Sequence, residues 1–256
     1  MYNRSMPPRA AYLHVPFCRH RCGYCNFTVI AGRDDLADTY LDALTLKLGA
    51  LGAPHEVDTI FIGGGTPTQL RPPQLDRLLQ LVRQWFPLHP QGEFTVEANP
   101  RDALDLAKLT QLRAAGVTRL SLGAQSFAEA KLQVLERDHD AAVIRQAVGH
   151  AQGLGLDVAL DLIFGVPGET LAGWQDDLQQ ALALAPQHIS TYGLTFEKGT
   201  AFWSRLNHGH LAQADEELER AMYLAAIDML TAAGLEHYEV SNFARPGRRC
   251  RHNEAY

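Results

Sequence analysis

Six short apolar runs alternate with helix-periodic segments along most of this chain, and that alternation restricts its possible folds more than any other feature. The runs are residues 11–15 (AYLHV), 58–62 (DTIFI), 93–97 (EFTVE), 119–122 (RLSL), 157–164 (DVALDLIF) and 188–194 (HISTYGL). Leu36, Tyr40, Leu44 and Leu48 recur at helical spacing within Asp34–Leu51, as do Leu75, Leu78, Leu79 and Val82 within Pro72–Trp85. Further helices are expected near Leu104–Ala115, at Ala141–Leu154 and at Leu171–Leu184. Near-continuous apolar strands separated by helices imply an α/β fold with a parallel sheet, because neighbouring parallel strands need a long crossover connection. Six units fall short of the eight in a closed barrel, so a partial (β/α)6 barrel is expected.

The pattern changes after Leu194. A long helix over Asp215–Ala233, a strand over Glu236–Asn242 and an irregular basic stretch over Arg245–Arg251 are expected. The expected organisation is a tail over residues 1–9, a core domain over 10–235, and the start of a truncated C-terminal domain over 236–256.

In parallel α/β architectures, chemistry collects at the C-terminal ends of the strands. The glycine-rich and polar segments fall there: Cys18–Cys25, Gly63–Pro67, Glu97–Pro100, Gln125 and Asp161–Gly168. Composition narrows the partners. With 23 basic and 29 acidic residues the formal net charge is −6, without the basic excess of a nucleic-acid surface. Residues 1–10 lack the apolar centre of a secretory signal, and no apolar run approaches the roughly 18 residues of a membrane span, so a cytoplasmic protein is expected.

Three of the four cysteines lie within eight residues, as Cys18-x-x-x-Cys22-x-x-Cys25 in a loop that follows a strand. Thiolates are soft ligands suited to iron–sulfur clusters or zinc. Three sulfurs at this spacing can wrap three corners of a cubane, leaving one iron open to an exogenous ligand, whereas electron-transfer clusters commonly use four cysteines. The competing reading is a structural zinc site with His20 or His14 as fourth ligand. Cys250 lies too far away in sequence to belong obviously to the set.

The run Gly63-Gly64-Gly65-Thr66-Pro67-Thr68 follows the second strand. It lacks the Gly-Lys-Ser/Thr of a phosphate loop and the third glycine of a dinucleotide fingerprint. Glycines there allow close backbone approach to a ligand, and Pro67 keeps Thr66 extended.

Cys18-x-x-x-Cys22-x-Tyr24-Cys25, with an aromatic before the third cysteine, resembles the signature of the radical S-adenosylmethionine (SAM) superfamily. The resemblance implies a partial barrel of the radical SAM type, a 4Fe-4S cluster on Cys18, Cys22 and Cys25, and SAM chelated to the open iron. In that superfamily, an electron from the cluster cleaves a carbon–sulfur bond of SAM to give methionine and a 5′-deoxyadenosyl radical. The segments AYLHVPFCRHRCGYCNF, DTIFIGGGTPT, FTVEANP, RLSLGAQSF, ALDLIFGVPGET and HISTYGLT are similar, more narrowly, to the oxygen-independent coproporphyrinogen III oxidase group and its heme chaperone (HemW) branch. Carried over by position, Tyr12, Tyr24, Gly64, Gly65, Thr66, Glu97, Gln125, Arg137 and Asp161 are the expected SAM contacts. Each has an ordinary alternative: Tyr12 a core residue, Glu97 and Gln125 solvated rim residues, Arg137 half of a local surface ion pair with Glu136 or Asp138. Asp161, framed by Leu160 and Leu162, needs a partner in either reading.

Two functions follow from the resemblance: oxidative decarboxylation of coproporphyrinogen III in porphyrin biosynthesis, or binding of heme and its transfer to acceptor proteins. The oxidase has a further cysteine two residues after the third ligand and a long segment before the cluster. Here Phe27 occupies that position, and 17 residues precede Cys18. His252-Asn253-Glu254-Ala255-Tyr256 matches the start of the H-N-x-x-Y-W motif of the chaperone branch. The expectation is therefore a heme chaperone with heme as cargo. Its expected partners are heme-accepting proteins, an electron donor and a possible membrane-bound acceptor touched peripherally. His252 is the candidate heme ligand, the alternative being a loop histidine on a basic surface. Arg245, Arg248, Arg249 and Arg251 are candidates for propionate pairing or are simply solvated.

Overall fold

A computed structural model describes residues 9–255. Residues 1–8 of the expected tail, and Tyr256 of the terminal motif, lie outside the described residues. The chain opens with β1 (Ala10–Val15), two-residue strand β2 (Phe17–Cys18), the cysteine loop, β3 (Ile30–Ala31) and α1 (Ala37–Gly49). There follow β4 (Val57–Gly64), α2 (Pro72–Trp85), β5 (Leu88–Ala98), α3 (Leu106–Ala114), β6 (Arg119–Gln125), α4 (Glu129–Val134), α5 (Ala141–Gly153) and β7 (Asp157–Phe164). The remainder comprises α6 (Leu171–Ala183), β8 (His188–Gly193), α7 (Ala201–Asn207), α8 (Glu216–Ala232), β9 (Glu236–Glu239) and β10 (Asn242–Ala244).

Eight strands form one sheet in the order β1-β4-β5-β6-β7-β8-β10-β9, curled into an open half-barrel, and β2 pairs with β3 apart from it. The first six run parallel, as the crossover helices require; β10 and β9 add an antiparallel edge. The segment expected as one strand, Glu236–Asn242, is instead a hairpin arm, a turn at Val240-Ser241, and the first residue of the returning strand. Its alternation of polar and apolar residues carries no turn signal, and the break comes from pairing with β8.

Alternate residues of each strand face opposite sides. The outer set, including Leu13, Ile60, Phe94, Leu120, Leu160 and Ile189, packs against helix residues such as Leu41, Leu75, Leu109, Ile144, Trp174 and Met222 in one continuous core. The inner set is far more polar. Phe61, Thr95, Arg119 and Asp157 stand side by side across β4 to β7. One step towards the rim stand Glu97, Ser121, Ala159 and His188. Strands that read as near-continuously apolar therefore carry a polar lining on every second residue.

Beyond β10 the chain runs beneath the N-terminal ends of the strands and closes the floor of the half-barrel. Buried Arg119 pairs with Glu93 at 3.0 Å and donates to the carbonyls of Arg248 and Arg249 at 2.9 and 3.2 Å. Glu93 also accepts from the Arg251 backbone N–H at 3.0 Å. The arginines of this strap are not simply solvated: Arg248 pairs with Asp157 at 3.0 Å, Arg249 with Glu236 at 3.0 Å, and Arg251 donates to the Gln91 carbonyl. Arg245 binds Gln187 and Pro186 carbonyls. Among the described residues, no helix is long and apolar enough to cross a membrane.

Candidate functional site

Above the upper rim, the cysteine loop is fastened at several points. Its Gly23 N–H donates to Glu136 Oε2 at 2.8 Å, and the Gly23 carbonyl accepts from Phe202 N–H at 2.8 Å. A Cβ on Gly23 would lie 2.6 Å from the Phe202 ring, so the residue is glycine because α7 packs directly on the loop. Tyr24 meets the same ring edge-on at 6.0 Å. Burial works against the charge on Glu136, but bonds from His20 at 3.0 Å and Arg205 at 2.9 Å, with Gly23 N–H, hold its carboxyl below the usual range. His14 Nε2 bonds the Thr28 carbonyl at 2.7 Å. Both histidines considered as a fourth zinc ligand are thus engaged elsewhere. Among the described residues, no three His, Cys, Asp or Glu side chains are gathered as one ion would require.

Each thiol of the loop faces a hydrogen-bonding group. Thr66 Oγ1 lies 3.7 Å from Cys18 Sγ, Arg137 Nη1 donates to Cys22 Sγ at 3.6 Å, and the Phe27 N–H is directed at Cys25. Burial pushes the Cys18 and Cys25 thiols up. Sulfur ligands surrounded by donors fit a cluster, whose charge they offset and whose potential they tune.

Below the loop lies a cavity of about 470 Å³, lined by the cysteines, Tyr24, Gly64, Gly65, Thr66, Glu97, Gln125, Arg137 and Asp161. Gly64 has φ +108° and its missing Cβ would lie 2.4 Å from the His14 ring; a Cβ on Gly65 would lie 2.5 Å from the Phe17 carbonyl. The Gly65 and Thr66 N–H groups donate to Val15 and Phe17 carbonyls, both at 2.7 Å, which ties the glycine turn to the cysteine loop. Glu97 is no solvated rim residue: burial, aided by nearby Asp161 and opposed by the Gly64 N–H, pushes its carboxyl up to about 7. Burial likewise raises Asp161 to about 6, against hydrogen bonds from Ser190 and Ser121. Gln125 sits where β6 loses register with β7, at φ +66°. Arg137 is not in a surface ion pair. It donates to the Gly123 carbonyl at 3.0 Å and to Cys22, and its buried Nε has no partner among the described residues. A guanidinium beside the thiols with an unused donor, and a glycine turn that lines the cavity with bare backbone, suit a bound cluster and an anionic group of a second ligand.

Two sequence candidates lie elsewhere. Tyr12 is no core residue; it is 46% exposed at the sheet edge, stacked on Phe61 at 5.9 Å. His252 is no surface loop histidine; it is 3% exposed in the floor strap, stacked on Phe61 at 5.1 Å, with Nδ1 3.0 Å from Thr59 Oγ1. Thr59 precedes Gly64 by five residues on β4, placing His252 about 16 Å below the glycine turn. Sequence reasoning did not single out Thr95, Arg119, Ser121, His188, Ser190 or Tyr192, all lining the cavity. Their signal was polar side chains at every second position inside apolar strands.

Residues 12–181 match the family model of the radical SAM superfamily. The chain is 38% identical over 254 residues to the heme chaperone HemW of Bacillus subtilis (strain 168), covering 97% of this chain and 66% of that protein. It is 39% identical over 257 residues to HemW of Escherichia coli (strain K12), covering 98% and 67%. Among solved structures, the coproporphyrinogen III oxidase HemN from Escherichia coli, a radical SAM enzyme, matches with a TM-score of 0.84 at 30% identity, covering 94% of this chain and 56% of that one. The chain thus spans about two thirds of the length of these curated relatives, 66% and 67%.

Proposed function

This chain belongs to the radical SAM superfamily, and we propose that it serves as a heme chaperone, holding a 4Fe-4S cluster and SAM and passing heme to acceptor proteins. Cys18, Cys22 and Cys25 would hold the cluster. Gly64, Gly65 and Thr66 would admit the methionyl end of SAM, and Arg137 Nε would donate to its carboxylate. Glu97 and Asp161, raised by burial to about 7 and about 6, would accept from ribose hydroxyls or the ammonium group; a cationic ligand favours their charged forms. Cluster and SAM, when bound, supply one-electron cleavage of the SAM carbon–sulfur bond. The chain's own contribution is to position these groups and to keep the cavity closed from below.

The observation that carries the chaperone reading over the oxidase is Phe27. It lines the cavity mouth at 60% exposure, where the oxidase resemblance calls for a cysteine. A phenyl ring supplies neither the thiol nor any other proton or electron carrier at that position. The oxidase remains the second reading because of the fold match to HemN. Heme-accepting proteins, an electron donor and a membrane-bound acceptor are the partners this function implies. The test uses anaerobically reconstituted protein: a heme titration alongside product analysis after incubation with coproporphyrinogen III, SAM and reductant. Saturable heme binding without protoporphyrinogen IX supports the chaperone; turnover above background transfers the assignment to the oxidase.

A further inference from the structure

The lower half of the half-barrel, between the rim residues and the floor strap, holds a concentration of unused hydrogen-bonding groups. Thr95 is 1% exposed, His188 2% and Arg119 3%, and all three line the cavity. Among the described residues, Thr95 Oγ1, His188 Nδ1, and Nε and Nη1 of Arg119 have no hydrogen-bond partner. Buried polar atoms are seldom left so, and four of them on β5, β6 and β8, in residues that line one cavity, mark a place for a ligand.

The character of these groups decides what the ligand is. Arg119 contributes N–H donors alone. Tyr238 Oη accepts from the Cys250 N–H at 3.3 Å and lies 2.8 Å from His188 Nε2, which engages that nitrogen and leaves Nδ1 to bond a ligand. Burial, with Arg119 nearby, pushes His188 down to about 3, which keeps the ring neutral. Thr95 supplies a hydroxyl that is free to donate. The chamber therefore presents donors and asks for an acceptor.

The acidic groups around it are already engaged. Glu93 accepts from Arg119 and the Arg251 N–H, and Asp161 from Ser121 and Ser190. The strap closes the chamber from below, so a ligand enters from the rim.

We propose that this lower chamber binds the carboxylate of a small molecule, or of a carboxylate arm, through Thr95, Arg119 and His188. Arg119 and His188 open β6 and β8 and Thr95 stands beside Arg119 on β5, apart from the glycine turn and the thiols, and the site holds whether the cargo is heme or another compound.

Acetate is the probe. Calorimetric titration of the full chain with sodium acetate, against sodium chloride at matched ionic strength, should show saturable binding. The ring ¹⁵N signals of His188, assigned with His188→Asn, should move along the same isotherm. Thr95→Val, nearly isosteric, should retain the wild-type circular dichroism and weaken acetate about tenfold, as expected for loss of one hydrogen bond to a charged group. Acetamide should bind more weakly than acetate. Absence of saturation would mean that the chamber holds water alone and would overturn the proposal. So would equal affinities in wild type and Thr95→Val, or equal affinities for acetamide and acetate. If Thr95→Val fails to fold, the His188 signals decide: no movement with acetate rejects the site.

Discussion

Asp177 lies at the centre of a buried network behind the candidate site, and its removal is the sharpest test of how that site is held. The residue is 0% exposed. It accepts from Ser126 Oγ at 2.7 Å, from Phe127 N–H at 2.7 Å and from Lys131 Nζ at 2.9 Å. Lys131 also pairs with Glu169, whose other oxygen accepts from Val166 N–H at 3.0 Å, and the ammonium stands 5.0 Å from the Trp174 ring centre. The network joins the loop after β6 to the loop after β7. In Asp177→Ala the Phe127 N–H and the Ser126 hydroxyl lose their buried acceptor, and Lys131 keeps one carboxylate of two. Breaking a buried pair from one side costs about 3–5 kcal/mol, so a loss of about 4 kcal/mol is expected. At about 2–4 °C per kcal/mol for a domain of this size, the melting temperature should fall by about 10 °C. Ser126 follows Gln125, held at φ +66°, so SAM affinity should fall as well, even at temperatures where the variant is folded. Lys131→Met should cost more than Asp177→Ala, because it leaves two buried carboxylates facing each other. Urea titration and thermal melts measure the stability, and SAM titration the rest. A loss below about 1 kcal/mol would refute the argument that this network is buried and fully coupled.

Anaerobic reconstitution should load about four iron per chain, and alanine at Cys18, Cys22 or Cys25 should abolish the brown absorbance while Cys250→Ala retains it; stoichiometric zinc without iron uptake would contradict this. Gly64→Val should weaken SAM at least tenfold, since its Cβ would stand 2.4 Å from the His14 ring at a backbone φ of +108° that valine avoids; wild-type affinity would exclude the cradle. Glu97 and Asp161 should make the ligand-free protein less stable as pH rises, against the opposite contribution of His188, which burial keeps neutral. Glu97, raised to about 7, and Asp161, raised to about 6, bind protons more tightly in the folded chain, so their contribution is complete below the unfolded carboxyl range and lost as pH rises through these values. Urea midpoints at about pH 5 and about pH 8 check the sign, and Glu97→Gln should flatten the difference.

The alternation of strands and helices was readable because its signals are local. An apolar run or a helical period is visible within a dozen residues, and glycines and cysteines clustered in a loop announce themselves. By such signals the cysteine loop, the glycine turn and the rim positions of Glu97, Gln125 and Asp161 were all legible. Which partner each side chain takes was not. Arg137 sits between Glu136 and Asp138 in sequence, yet it turns to Cys22 and the Gly123 carbonyl, while Glu136 reaches back to Gly23, His20 and Arg205. The arginines near the end of the chain looked available, and folding committed them to Asp157, Glu236 and backbone carbonyls beneath the sheet. His252 likewise became a buried part of the floor rather than a loop histidine on the surface. The physical reason is range. Hydrophobic periodicity is set by neighbours a few positions away, whereas a buried charge or donor finds its partner across the sheet, and only the closed half-barrel determines which one is within reach.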